Sequence, residues 1–97
     1  MNSDALAQLQ RWYADHCDGD WEHQQGVEIG TLDNPGWSVR IALGGTGLEE
    51  RSFDRVHVDR TEDDWLRAWV EADKWNAACG PLNLVEAVEA FLAWASP

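Results

Sequence analysis

Side chains that can bind a metal or act as acids, bases and nucleophiles are concentrated in residues 15–23. This segment contains His16, Cys17, Asp20 and His23, so metal binding and a histidine-activated thiol are the two chemistries to weigh. A structural zinc site uses four Cys or His ligands in closely spaced pairs, and Cys17 has no second cysteine nearby. The segment also lacks the order of acids, glycine and final glutamate that an EF-hand calcium loop requires. We therefore expect neither a metal nor another cofactor.

Neither cysteine has the surroundings of a catalytic thiol. Cys17 and Cys79 do not belong to a C-x-x-C pair, and neither lies in the amide-rich, arginine-flanked loop of a rhodanese-type sulfurtransferase. We expect both thiols to be buried, reduced and inert. No catalytic residue is assigned, and the protein is predicted not to be an enzyme. The alternative function is a small metal- or thiol-dependent enzyme that uses His16, Cys17, Asp20 and His23, and metal analysis of purified protein would distinguish it.

The balance of charge favours proteins over nucleic acids and membranes as partners. The 97 residues include 18 acidic and 7 basic side chains, which give a formal net charge of −11. This field repels phosphate groups and anionic lipids, and it attracts positively charged proteins. The amino terminus has no signal-peptide pattern and no apolar run is long enough to cross a bilayer, so a cytoplasmic location is expected. The length fits one domain over residues 1–97.

Seven tryptophans are more than the core of so small a domain is expected to hold. Trp12 and Trp37 fall on apolar faces of predicted elements, so both are expected in the core. Trp69 lies between charged neighbours and Trp94 lies off the apolar stripe of its helix, so both are predicted to be exposed. Tryptophan is enriched among the residues that dominate binding energy at protein interfaces. Exposed indoles within an acidic field therefore indicate a docking surface for a basic protein.

Helical periodicity predicts one helix near each end of the chain. The first covers residues 3–16, with Ser3 as its amino-terminal cap. Its apolar stripe consists of Ala5, Leu6, Leu9, Trp12 and Tyr13. The second helix starts after Pro81, with Asn83 as the cap and Glu86 reaching back to the cap's amide in a capping box. Its inward stripe consists of Leu84, Val88, Phe91, Leu92 and Ala95.

Alternation of apolar and polar side chains predicts an antiparallel sheet between these helices. Two alternating runs within residues 27–43 flank Asn34-Pro35-Gly36, which predicts a hairpin closed by a type II turn with Gly36 at positive φ. GGTG at residues 44–47 is predicted to be a loop, and residues 51–59 alternate as a third strand. Residues 61–80 fit a helix and a strand equally well, so periodicity alone leaves this segment open.

Two long stretches of the chain resemble a known family. LQRWYADHCDGDWEHQQGVEIGTLDNPGWSVRIAL, from Leu9 to Leu43, and WNAACGPLNLVEAVEAFLAWA, from Trp75 to Ala95, resemble the bacterial family immunity protein 53. The resemblance implies a non-enzymatic protein that binds a toxin of a polymorphic or contact-dependent toxin system in the cytoplasm of the producing cell. It also favours a fourth strand in residues 62–79. The matching positions are Cys17 to His23 and Thr31 to Trp37.

The sequence and the resemblance together predict an α+β domain with an N-terminal helix, an antiparallel sheet of about four strands and a C-terminal helix. We expect the protein to neutralise a cognate basic toxin, for which a nuclease is one candidate, by steric and electrostatic blocking. No nucleic acid or membrane is expected as a partner, and the oligomeric state is left open. A regulatory module without a toxin is a third class, which the lack of a neighbouring toxin gene would favour. The residues expected to contact the toxin are Asp18, Asp20, Trp21, Glu22, His23, Asp33, Asn34, Trp69 and Glu71.

Overall fold

Two helices cover one face of a single antiparallel sheet, so the α+β prediction is confirmed. The computed structural model describes residues 4–96. In chain order the elements are α1 (Ala5–His16), α2 (Trp21–Gln24), β1 (Val27–Leu32), β2 (Gly36–Ala42), β3 (Val56–Asp59), β4 (Trp65–Glu71), β5 (Lys74–Cys79) and α3 (Leu84–Ala95). The strand order is β1-β2-β5-β4-β3, and every neighbouring pair is antiparallel. No helix within residues 4–96 has the length and apolar character needed to cross a membrane.

The sheet has five strands rather than the predicted four, because residues 65–79 form two strands. Leu66 and Ala68 are buried at alternate positions of β4, as the strand interpretation of this segment required. The chain then reverses at Ala72 and Asp73, which adopt φ of 56° and 60°, and returns as β5. Two consecutive residues at positive φ match the twist of a tight hairpin, but this turn usually contains Gly or Asn. The composition of the segment therefore did not predict that the chain reverses here.

The hairpin of β1 and β2 is confirmed, whereas its predicted type II turn is wrong. The Asn34–Pro35 peptide is cis, and Gly36 is the first residue of β2, paired with Leu32. Gly36 does not have a positive φ. Glycine is required there for a different reason, because a Cβ at this position would collide with the carbonyl oxygen of Cys79 in β5.

Only part of the predicted apolar stripe of α1 is buried against the rest of the domain. Ala5 and Leu9 are buried and Trp12 packs on the core, as predicted, but Leu6 and Tyr13 are exposed. The helix packs against α3, and its exposed flank lies beside the outer strand β1. The first residue of α1 is Ala5, with Asp4 at the cap position and no side-chain hydrogen bond there. The predicted Ser3 cap lies outside the described residues.

Helix α3 begins after Asn83 as predicted, but the predicted capping box does not form. The Nδ2 group of Asn83 donates to Asp64 at 2.9 Å and to Glu86 at 3.0 Å, and its Oδ1 accepts from the backbone of Trp65 at 3.4 Å. Asn83 is buried, so its side chain joins the loop before β4 to the start of α3 instead of capping the helix. This bridge between distant segments is tertiary, which explains why a local capping pattern missed it.

Tryptophan contributes more to the core than predicted. Trp75 is fully buried at the centre, and Trp12 and Trp37 pack against the core while staying partly buried. Trp94, which was predicted to be exposed, is half-buried, because its ring packs edge-on against Phe53 from the segment before β3. That segment was expected to be strand throughout residues 51–59, yet only its last four residues pair with β4.

Candidate partner-binding surface

The connection between α1 and α2 fixes two carboxylates with backbone amides. Asp18 Oδ1 accepts from the amides of Asp20 and Trp21 at 2.9 Å each. The Glu22 carboxylate accepts from the amides of Asp18 at 2.9 Å and Gly19 at 2.8 Å. The amides of Trp21 and then Asp20 lower the pKa of Asp18, and the amide of Glu22 itself, with those of Asp18 and Gly19, lowers the pKa of Glu22. Both side chains therefore carry negative charge in fixed positions at neutral pH.

A second loop presents its acid in the same way. Residues 44–47 form the predicted turn, and the carboxylate of Glu49 accepts from the amides of Gly45 at 2.7 Å and Gly47 at 2.9 Å. Both glycines adopt positive φ, a conformation that other residues rarely adopt. The amide of Glu49 itself, followed by the amide of Gly45 and then that of Gly47, lowers the pKa of the Glu49 carboxyl. Glu50 follows as an exposed acid.

Trp21 connects the segment that carries Asp18 and Glu22 to the loop that carries Glu49. Its Nε1 donates to the carbonyl oxygen of Gly44 at 2.8 Å, and its ring packs against Trp12 and Tyr13 of α1. Only 7% of Trp21 is exposed, so this residue acts mainly as the support beneath the acidic segments. The turn between β4 and β5 joins them, because the carbonyl oxygen of Asp73 accepts from the Leu43 amide at 2.9 Å.

These contacts bring several acids to the end of the sheet where β1 and β5 begin. We call this group the acidic end: Asp18, Asp20, Glu22, Glu49, Glu50 and Asp73. Within residues 4–96, none of them forms an ion pair with lysine or arginine. Sequence reasoning missed Glu49, Glu50 and Asp73, although Glu49 and Glu50 lie only two and three residues after the glycine loop that was recognised.

Four acids outside the acidic end form ion pairs with arginine: Glu28, Asp59, Asp64 and Glu86. Arg60 forms ion pairs with Asp64 at 3.0 Å and Glu86 at 2.5 Å, and Arg67 pairs with Asp59 at 2.9 Å. Opposite charges at these distances cancel most of each other's field beyond a few ångströms. Within residues 4–96, no such ion pair reduces the field of the acidic end.

Three other predicted residues lie near the acidic end. His23 is exposed in the short helix α2. Trp69 and Glu71 lie on the sheet face away from α1 and α3, and Trp69 Nε1 donates to the Glu71 carboxylate at 3.0 Å. The guanidinium of Arg55 lies over the Trp69 ring at 5.9 Å. Trp69 is half-buried rather than fully exposed, with its ring beside these charged groups.

Asp33 and Asn34 are separated from the other predicted contacts. They lie in the turn between β1 and β2, at the opposite end of the sheet from α2. The six-residue strand β1 separates the two ends by about 20 Å. The structure therefore divides the predicted residues into a main group and a distant pair.

Two of the four residues of the enzyme alternative, His16 and Cys17, bond to the backbone of α1, whereas Asp20 and His23 are exposed beyond that helix. His16 Nδ1 donates to the carbonyl oxygen of Trp12 at 2.7 Å, and Cys17 Sγ donates to that of Tyr13 at 3.3 Å. No group of three or more His, Cys, Asp or Glu side chains in the described part of the chain is arranged to hold a metal. Cys17 is half-buried, whereas Cys79 is fully buried and burial raises the pKa of its thiol. His16 and Cys17 therefore bond to separate backbone carbonyl oxygens of α1.

Comparison with known proteins identifies one related family. The family model described as immunity protein 53 matches residues 6–96, which is nearly the whole chain. No curated protein and no solved structure matches the chain. The matched range includes every residue of the acidic end, the whole sheet and α3.

Proposed function

The chain belongs to the immunity protein 53 family, and we propose that it binds a cognate toxin domain and neutralises it in the bacterial cell that produces both. Binding would block the toxin by covering its active surface and by opposing its charge. The partner is a basic protein, and a nuclease of a polymorphic toxin system fits that description. No reaction is catalysed by the immunity protein itself.

The absence of arginine and lysine partners at the acidic end, within residues 4–96, is the observation that carries this proposal. Asp18, Glu22 and Glu49 are already oriented by backbone amides, so a cationic toxin meets fixed charges and pays little ordering entropy. A net charge of −11 also accelerates the encounter with such a toxin over long distances.

The proposed contact surface uses the main group of predicted residues in different ways. Asp18, Asp20 and Glu22 supply charge, and His23 lies beside them on α2. Trp69 and Glu71 extend the surface onto the open face of the sheet, whereas Trp21 supports it from beneath. Asp33 and Asn34 would be reached only by a toxin that spans the length of β1.

The test is complex formation with the C-terminal domain of the large toxin that the proposal places in the neighbouring gene. Asp20→Lys changes an exposed charge at the acidic end, and Glu62→Lys makes the same change in the exposed loop at the far end. With one toxin cation about 10 Å from Asp20 in water, a change of two charges slows association about fourfold at low salt. Glu62→Lys should change it less, and added salt should remove the difference.

The outcomes of this experiment separate the parts of the proposal. Equal slowing by both variants would mean that only net charge matters and would refute the acidic end as the contact surface. Failure of the wild-type protein to bind that toxin domain would refute the immunity function itself.

A further inference from the structure

Strand β1 forms one edge of the sheet, and no backbone segment within residues 4–96 pairs with its outer side. The amide of Ala42 donates to the carbonyl oxygen of Gly26 at 2.9 Å, which sets the alternation of the ladder with β2. In an antiparallel pair, hydrogen-bonded positions alternate with positions whose N–H and C=O groups point away. The backbone groups of Val27, Ile29 and Thr31 therefore face outward, where a further strand could bind.

An apolar groove of about 690 Å³ lies between this edge and α1. Its walls include Leu6 and Tyr13 from α1 and Ile29 from β1, which are 52%, 37% and 38% exposed. Three of the six large apolar side chains exposed within residues 4–96 therefore line one groove. Apolar side chains clustered in this way, rather than scattered, mark interaction sites. Ile29 contributes both its side chain to the groove and its backbone to the open edge.

The opposite edge of the sheet is protected against strand addition. Strand β3 has only four residues, and Asp59 at its end is held by His57 at 2.9 Å and by Arg67 at 2.9 Å. Short length and charged side chains are common ways to block pairing at an edge. Strand β1 is longer and contains neither lysine nor proline. Its one charge, Glu28, lies 3.7 Å from Arg40, and both side chains belong to the lining of the groove, as does Lys74.

We propose that β1 and this groove bind an extended segment of the toxin as a sixth strand of the sheet; this inference rests on the proposed function. The outward groups of Val27, Ile29 and Thr31 would pair with the backbone of that segment. Its apolar side chains would alternate toward Leu6 and Ile29, since alternate residues of a strand share a face. Its intervening side chains would be basic, because the added strand would lie in the field of a protein with a net charge of −11.

A second copy of this chain is the less suitable occupant. Pairing of two β1 edges would join two molecules that each carry a net charge of −11, so their fields repel. A basic segment instead combines backbone pairing, apolar contact and opposite charge. The groove also continues along Gln24 and Gly26 to the acidic end, so one toxin could contact both surfaces.

The test measures amide hydrogen exchange with and without the purified toxin domain used above. Binding should slow exchange at Val27, Ile29 and Thr31 by about tenfold or more, because their amides become hydrogen-bonded. The amides of Glu28 and Gly30 already face β2 and serve as internal controls. These measurements use wild-type protein, so they do not depend on the folding of a variant.

A matched pair of variants tests the groove itself. Ile29→Lys should weaken toxin binding about tenfold or more, since it removes apolar contact and places a cation against a basic segment. Val70→Lys is the control, because Val70 is 37% exposed on the same sheet face but lies in β4. It should leave the affinity nearly unchanged.

Each result decides between the proposals. A complex that leaves exchange along β1 unchanged overturns the strand-addition proposal and leaves the immunity function standing. Absence of any complex overturns both. Concentration-dependent protection of the same amides in the protein alone, together with a dimer mass, would assign the edge to a second copy and also overturn this proposal.

Discussion

Replacing Trp21 with phenylalanine tests whether the acidic end depends on one buried link. The variant keeps an aromatic ring against α1 but loses the N–H group that bonds to Gly44 at 2.8 Å. Loss of one hydrogen bond costs about 1 kcal/mol, and the smaller ring costs about 1 kcal/mol more in packing. The free energy of unfolding should therefore fall by about 2 kcal/mol, which a domain with about 5–15 kcal/mol of stability tolerates.

The same change should also slow association with the toxin. Without the bond from Trp21, the loop that carries Glu49 is no longer held beside the segment that carries Glu22, so the fixed arrangement of charge is lost. The assays are urea unfolding followed by circular dichroism, and stopped-flow association with the toxin domain.

Trp94→Phe provides a matched control for this prediction. The Nε1 of Trp94 also donates to a loop carbonyl at 2.8 Å, that of Ser52, but no residue of the acidic end lies in this contact. This variant should lose a similar amount of stability and keep the wild-type association rate. If both variants slow association equally, general destabilisation explains the effect and the role of Trp21 as a specific support is refuted. An unchanged free energy of unfolding in Trp21→Phe would show that the bond to Gly44 contributes nothing.

Three further predictions follow from the same contacts. In urea titrations, Gly36→Ala should lower the free energy of unfolding by about 2 kcal/mol, because the new Cβ collides with the backbone of Cys79. Gly30→Ala is the control, because its Cβ would meet only a side-chain oxygen at 3.7 Å. It should change the free energy of unfolding by less than about 0.5 kcal/mol. Asn83→Ala should cost about 2 kcal/mol in the same assay, because buried groups lose their partners; a neutral result would refute the bridging role of this side chain. The pKa of Asp18 in the folded state lies below its ordinary value of 3.8, so ionised Asp18 stabilises the fold. The difference in unfolding free energy between the wild-type protein and Asp18→Ala should therefore be complete above pH 3.8. It should disappear as the pH falls through the lower folded-state pKa. Unfolding measured along an acid series checks this, and a difference that grows toward low pH would contradict it.

Much of the fold could be predicted because its determinants are local. The alternation of β1 and β2 around Pro35 predicted a hairpin, and the apolar stripe of α3 predicted the final helix. The extra strand could not be predicted in the same way. Its turn uses Ala72 and Asp73 at positive φ, where a small local cost is offset by pairing of β4 with β5. The alternation of side chains predicts the strands, but it does not show that strand pairing offsets the cost of this turn.

The candidate site also has a part that local sequence could predict and a part that depends on tertiary contacts. The bonds of Asp18 and Glu22 join residues at most four positions apart, so their cluster was visible as a sequence motif. The link from Trp21 to Gly44 spans 23 positions, and it connects the segment of Asp18 and Glu22 to the loop that carries Glu49. Acidic residues could be counted from the sequence, whereas the arginines that neutralise some of them were fixed by tertiary packing.

The two proposed surfaces contribute to different stages of binding because their physical chemistry differs. The acidic end acts at a distance, so its charges influence how often a basic toxin arrives in a productive orientation. The groove and the outward groups of β1 would act only in contact, so they would determine how long the proposed complex lasts. Gln25 and Gly26 connect α2 to β1 and line the groove, which places the two surfaces next to each other. Under both proposals, a toxin drawn to the acidic end would arrive beside an open strand edge, and the small domain would combine a high association rate with a low dissociation rate.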